Sequence, residues 1–440
     1  MHHDPAIAGV LPVTAALAAI VVSAQVCGLL ARRLGQPAVV GEMIAGVLLG
    51  PTLLGALAPA VSHYMFSNTT KPTLYAMSMV GLSLYMFMVG MEHEHPRESR
   101  RDMILPIVLA TSGMIGPILI GSLAALMITD DLRPHGISPA LHAVFIGGAL
   151  SVAAFPMLAR VLQEQNMVHT RFGRVATSAA AIDDALAWCV LAVCGALAVQ
   201  GNFAGALITI VPAIGLVLLA FILLPRLFAG PMQRSVSEGR ISDALFASMI
   251  TLVLGVGFLA DYIGIYSVFG GFVCGFTLPK VPGFAKMFTG ITAKLVRILL
   301  LPIFFAYSGL NTDLGEVFAP KYLLPTVVIL LVAIVAKSGA SYLVLRVGFR
   351  WNRGEAVAMG ALMNARGLMI LIFINAGLAL GIISRPMFSM LVVVAVITTG
   401  LALPVYRRHF TPRVEAEARE QEQHSHAIVE TRPSPATALR

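Results

Sequence analysis

Apolar runs of about 20 residues, the length a helix needs to cross a bilayer, recur along nearly all of this 440-residue chain. Only 12% of the residues are charged, against roughly 25% in a soluble domain, and mean hydropathy is +0.85. The pattern predicts an all-α polytopic membrane protein. Thirteen spans are expected, at 8–30, 36–54, 72–91, 102–127, 140–163, 171–199, 203–225, 241–260, 262–279, 287–310, 322–345, 355–380 and 386–406.

The formal net charge of +8 would suit a nucleic-acid partner, but its distribution says otherwise. Loops after odd-numbered spans carry twenty Lys and Arg, among them Arg32, Arg33, Arg226, Arg346 and Arg408; loops after even-numbered spans carry four, Lys71, Arg133, Lys321 and Arg385. Positive residues stay cytoplasmic. The N-terminus is therefore expected outside and the C-terminus inside, in the cell (inner) membrane, with no nucleic acid involved. The first span lacks a small-residue cleavage site and is read as a retained helix rather than a signal peptide. The polar, Pro-containing tail 409–440 reads as disordered. Cys27, Cys189, Cys194 and Cys274 all fall in apolar helices without metal-ligand spacing, as buried inert thiols do. His2, His3, His424 and His426 lie outside the spans and make weak metal candidates.

Ionisable residues inside spans are functional candidates by default, and few occur here: Glu42, Asp183, Asp184, Lys337 and Arg366. Asp243, Asp261 and Arg297 lie nearer span ends, where interfacial solvation is the simpler reading. Adjacent helical residues point about 100° apart, so Asp183 and Asp184 cannot both face one partner. One can line a water-filled cavity while the other pairs with a buried cation, and Lys337 is the obvious cation. An ion pair that merely holds two helices together is the simpler alternative, but it leaves the second carboxylate without a purpose.

Two spans look interrupted. Pro156 removes a backbone donor in span five, after the Gly147-Gly148 pair. The cluster Asn364-Ala365-Arg366-Gly367 falls in the middle of span twelve. Spans 1–6 and 8–13 then form two six-helix units of opposite orientation joined by span seven, with a break in the fifth member of each. Discontinuous helices at corresponding positions of inverted repeats mark secondary transporters.

The chain resembles the monovalent cation:proton antiporter-2 family, which includes sodium/proton and Kef-type exchangers. The resemblance runs from about residue 34 to 406 and rests on GQPAVVGEMIAGVLLGPTLLG (35–55), SLYMFMVGMEHE (83–94), AFPMLARVL (154–162) and AAIDDALAW (180–188). It continues in IGIYSVFGGFVCGFTLP (263–279), LPIFFAYSGLNTDL (301–314), VAKSGA (335–340) and MNARGL (363–368). It implies two inverted repeats with crossed broken helices and a homodimer. A scaffold is implied at 1–96 and 241–310, a transport core at 97–200 and 311–408, and a linker helix at 201–240. The core is implied to move like an elevator. Asp184 matches the ion- and proton-binding carboxylate, Asp183 the position that is acidic in electrogenic members, Lys337 the core lysine and Arg366 the arginine of the second broken helix. Asp184 and Asp183 are the implied Na⁺ ligands, with Ser151 beside them and Asn364, Pro156 and Glu42 supporting. The family often has Ser-x-Thr before Ala-Phe-Pro, whereas Ser151-Val152-Ala153 stands here, so one hydroxyl ligand is missing.

The expected function is exchange of Na⁺, or K⁺, for protons, with no cofactor and no enzymatic step. A Kef-type cation channel and a non-transporting sensor are the alternatives. Strict proton coupling separates the first, and the sensor's usual large soluble domain is not seen.

Overall fold

The computed structural model describes residues 5–92, 103–164, 167 and 170–410. Helices make up these residues, with no strand among them, and twelve segments are long and apolar enough to cross a membrane. The first span is α1 (Pro5–Arg33). The second is α2 (Ala38–Leu49) with a π-helical continuation, Pro51–Gly55, and the short α3 (Pro59–Met65) leads to α4 (Thr70–Glu92). The fourth is α5 (Ile104–Ile128), the fifth divides into α6 (Pro139–Ser151) and α7 (Phe155–Glu164), and the sixth is α8 (Arg171–Gln200). α9 (Phe203–Glu238) follows. It runs 36 residues, well past the end expected near 225, because Pro225 and Pro231 sit within it without ending it.

In the second half come α10 (Asp243–Ile263), α11 (Ser267–Thr277), α12 (Phe284–Leu295) and α13 (Leu301–Leu310), the last two fused by a π turn. Then follow the short α14 (Leu314–Val317), α15 (Pro320–Leu343) with a π-helical end, α16 (Arg353–Met363), α17 (Gly367–Ala379) and α18 (Arg385–His409). The expected ninth span is thus the 11-residue α11. At 1.5 Å per residue it covers about half of a bilayer. Its start is set by Asp261, whose carboxylate accepts the Ser267 N–H at 2.8 Å. Its end is set by Pro279, which disfavours helix at Leu278 before it. α11 lies tightly on α4: a side chain at Gly275 would stand 2.0 Å from the Phe87 carbonyl.

Polar residues start the helices that matter most. Ser138 Oγ accepts the Leu141 N–H of α6, and Thr170 Oγ1 accepts the Gly173 N–H of α8. Asn352 and Glu355 form a reciprocal capping box on α16, and such caps contribute about 1 kcal/mol each.

Two groups of helices pack internally: α1, α2, α4, α10, α11 and α13 in one, and α5, α6, α8, α15, α16 and α18 in the other. Each group draws three spans from each half of the chain, as two inverted repeats require. In the span made by α16 and α17, 94% of the residues in its most apolar 18-residue stretch are buried, so the second break lies deep in the molecule. The cysteines are less uniform than expected. Cys194 and Cys274 are buried, Cys27 is half-buried and Cys189 is exposed, because Cys189 falls on the outward stripe of α8. The tail beyond residue 410 and His2, His3, His424 and His426 lie outside the described residues.

Candidate ion site at the helix crossover

The interrupted spans meet at their breaks. Residues 152–154 are non-helical between α6 and α7, and residues 364–366 separate α16 from α17. The Ala154 N–H donates to the Ala365 carbonyl at 2.9 Å, tying one break to the other. Gly367 turns the chain with φ +48°, a left-handed conformation that a side chain disfavours. Pro156 is the second residue of α7, where its missing N–H costs nothing. The Gly147-Gly148 pair lies inside α6 rather than at its break; a Cβ at Gly147 would stand 2.5 Å from the Ile118 carbonyl of α5.

Broken helices expose backbone groups that must be satisfied at membrane depth, and named side chains do this. At the C-terminal end of α6, Arg366 Nη1 donates to the carbonyls of Ala149 (3.2 Å) and Leu150, and Lys337 Nζ donates to that of Ser151. Two cations thus face the negative end of the half-helix dipole. Beyond the break, Asp183 Oδ2 accepts the Ala153 N–H at 2.7 Å. At the start of α17, Thr399 Oγ1 accepts the N–H groups of Gly367 (3.0 Å) and Arg366 (3.3 Å).

The two adjacent aspartates part company here. Asp183 and Lys337 form a buried ion pair, Nζ lying 2.9 Å from Oδ1 and 3.0 Å from Oδ2, with each side chain 1% exposed. Asp184 is fully buried and faces the Phe155 backbone N–H at the start of α7. Neither of its oxygens has a hydrogen-bond partner of ordinary geometry among the described residues. One aspartate is consumed by the structure and the other is not.

Arg366 and Asn364 extend this network. Arg366 Nη2 donates to Ala333 O (2.9 Å) and Asn364 Oδ1 (3.2 Å). Asn364 Nδ2 donates to Ile334 O and to Ser338 Oγ, at 3.0 and 2.6 Å, binding the second break to α15. Ser151 contributes its carbonyl to Lys337, while its hydroxyl donates back to Gly148 O at 2.7 Å. Asp183, Asp184, Lys337, Arg366, Asn364, Ser151 and Pro156 therefore converge. Glu42 lies elsewhere, half-buried on α2 beside Gly28 of α1.

Several buried polar contacts escaped the sequence reading. Thr399 caps α17, and Asn375 Nδ2 of α17 reaches Ser308 Oγ of α13 at 2.7 Å. Polar residues within the runs were their only signal. Asp261, expected to be merely solvated, both caps α11 and lines a cleft of about 270 Å³ between α8, α17 and the α10–α11 turn, with Trp188 and Tyr266. Trp188 stands one turn beyond Asp184.

Residues 20–406 match the family model described as sodium/hydrogen exchanger, transmembrane. A Na(+)/H(+) antiporter, NhaS4, of Synechocystis sp. is 37% identical over 87% of this chain and 93% of its own. Cation/H(+) antiporter 18 of Arabidopsis thaliana is 31% identical over 96% of this chain, which spans 51% of that longer relative. Among solved structures, the sodium proton antiporter MjNhaP1 of Methanocaldococcus jannaschii superposes with a TM-score of 0.65 at 13% identity, covering 90% of this chain and 96% of its own. That likeness concerns the fold alone. The model match covers most of the chain and the cyanobacterial relative nearly its full length: this chain belongs to the sodium/hydrogen exchanger family.

Proposed function

We propose that the protein is a secondary antiporter exchanging a monovalent cation, Na⁺ first and K⁺ second, for protons at Asp184. The observation that carries this is the buried Asp184 carboxylate, which faces only the Phe155 N–H and has no partner of ordinary hydrogen-bond geometry among the described residues, at a crossover where Asp183, Lys337 and Arg366 are engaged. A carboxylate oxygen suits a hard cation and binds a proton in its place. If only a loaded site crosses, competition for Asp184 produces exchange. The names of the relatives support the same reading.

In this reading α5–α8 and α15–α18 form a transport core that slides like an elevator against a scaffold of α1–α4 and α10–α13, with α9 as linker. The protein works as a homodimer in the cell membrane, N-terminus outside. The exchange moves net charge, one cation for two protons, the second proton coming from Lys337. Supporting this division, each helix group packs within itself and the buried charges lie in one of them.

The test is cation-dependent proton efflux from proteoliposomes, scanned over Na⁺, K⁺ and Li⁺. Coupled proton movement with at least one of these ions is expected. Cation flux without stoichiometric proton movement would mark a channel and overturn the reading.

A further inference from the structure

A groove of about 420 Å³ opens between α15, α16 and α18, far more than the roughly 10–15 Å³ that holds one water. Its lip is exposed and apolar, with Val335 66% and Leu401 46% exposed. The polar side chains on its floor are already bonded to protein. Asn364 donates to Ile334 O and Ser338 Oγ, Ser338 donates to Gly360 O, and Thr398 donates to Val394 O. Such a floor asks for hydrocarbon rather than water.

The groove runs toward the basic-loop side of the membrane, and each of its three helices ends there in an arginine. On α15 the lining residue Tyr342 is followed four residues later by Arg346. On α16 Val357 is preceded four residues earlier by Arg353, and on α18 Val405 is followed three residues later by Arg408. Residues three and four apart share a helix face, so the exposed Arg353 and Arg408 prolong the lining faces of α16 and α18 to the groove's mouth, while Arg346, in the π-helical end of α15, stands beside it with Nη1 donating to Trp351 O at 3.0 Å. The one carboxylate in that turn of α16, Glu355, is engaged in the capping box. An apolar slot with an interfacial tyrosine and a cluster of cations at its mouth has the polarity of a phospholipid.

We propose that this groove holds an acyl chain of an anionic glycerophospholipid from the leaflet on the basic-loop side, its phosphate lying among Arg346, Arg353 and Arg408. The chain seats on the Asn364–Ser338 junction, which ties the second helix break to α15, the helix of Lys337. Lipid occupancy therefore stiffens the crossover without touching the ion.

Gly339 supplies the test, because it lines the groove and a Cβ there meets nothing within 4 Å. Gly339→Phe fills the slot without displacing backbone, and Leu401→Trp on the lip serves if that variant does not fold. Full-length protein in detergent is titrated with phosphatidylglycerol and with phosphatidylcholine, and bound lipid is counted by native mass spectrometry. Wild type should prefer phosphatidylglycerol, and the filled variant should lose one bound phosphatidylglycerol per chain. Arg353→Gln with Arg408→Gln should weaken phosphatidylglycerol roughly twenty-five-fold, at about a fivefold loss per arginine, and leave phosphatidylcholine unchanged. Equal affinity for the two lipids, or unchanged binding in both filled variants, overturns the proposal. A change of oligomeric mass on filling also overturns it, since the groove would then be a subunit interface.

Discussion

Exchange should respond to voltage by an amount that the crossover charges set. With Asp183 and Asp184 ionised and Lys337 and Arg366 protonated, these four buried side chains sum to zero formal charge. A proton on Asp184 makes the site +1. A cation on Asp184 that also draws Asp183 away leaves the Lys337 ammonium with only the Ser151 carbonyl. An unpaired buried charge costs several kcal/mol, and releasing the proton removes that cost and returns the site to zero. On the proposed mechanism the two loaded states then differ by one charge, and the expected stoichiometry is one cation for two protons. A potential of 100 mV acts on that charge with about 2.3 kcal/mol, roughly fiftyfold in the equilibrium cation ratio. In proteoliposomes with a clamped potential, the cation gradient at which proton flux reverses should move by about that factor per 100 mV. Currents should also appear on a solid-supported membrane. In the rival account the Asp183–Lys337 pair is only structural and exchange is one-for-one. Its reversal point ignores voltage, and Lys337→Gln lowers thermal stability without changing stoichiometry. Turnover without current in the intact protein would refute the two-proton reasoning.

Asp184→Asn keeps the size of the side chain and removes its titratable oxygen, so exchange should vanish while size-exclusion profile and melting stay near wild type; measurable exchange by this variant would move the site elsewhere. Thr399→Val strands the N–H groups of Arg366 and Gly367 and should destabilise by about 1–3 kcal/mol, read as a lower melting temperature; an unchanged melt would mean that water replaces the hydroxyl. Arg366→Met leaves the carbonyls of Ala149, Leu150 and Ala333 without their donor and should be more damaging than Thr399→Val in the same assay, a ranking that fails if the two variants melt alike. A C-terminal reporter active only in the cytoplasm should be active, and activity from a periplasmic-only reporter would reverse the topology.

Most spans were legible because bilayer length and hydropathy leave a chain few other choices. What escaped was set by tertiary placement. Nothing in the apolar run 262–279 announces that helix begins only at Ser267; that depends on Asp261 folding back onto the Ser267 N–H. The breaks were legible from Pro156 and from the Asn364–Gly367 cluster, yet the first lies at residues 152–154, before the proline. A helix can start at a proline as readily as it can be broken by one. Thr398 and Thr399 look alike in sequence. Thr398 bonds back to Val394 O within its own helix, while Thr399 turns to the start of α17, and only the packed neighbour distinguishes them. Asp183 and Lys337 were pairable in advance because few ionisable groups lie within the spans. Glu42 was singled out by the same logic, and it sits in the other helix group, on α2 beside α1.

The crossover can be understood by following its helix ends. Interrupting two buried helices creates unsatisfied carbonyls where α6 stops and unsatisfied N–H groups where α7 and α17 start. Cations serve the carbonyls: Arg366 takes Ala149 and Leu150, and Lys337 takes Ser151. Oxygens serve the N–H groups: Asp183 takes Ala153, Thr399 takes Gly367, and the Ala365 carbonyl takes Ala154. Lys337 is then paired with Asp183, while the Arg366 guanidinium bonds, among the described residues, to neutral carbonyl oxygens. Asp184 on α8, facing the head of α7, is the carboxylate whose oxygens none of these groups takes with ordinary geometry among the described residues. Under the proposed exchange, that availability is what the second aspartate adds to the one that holds the helices.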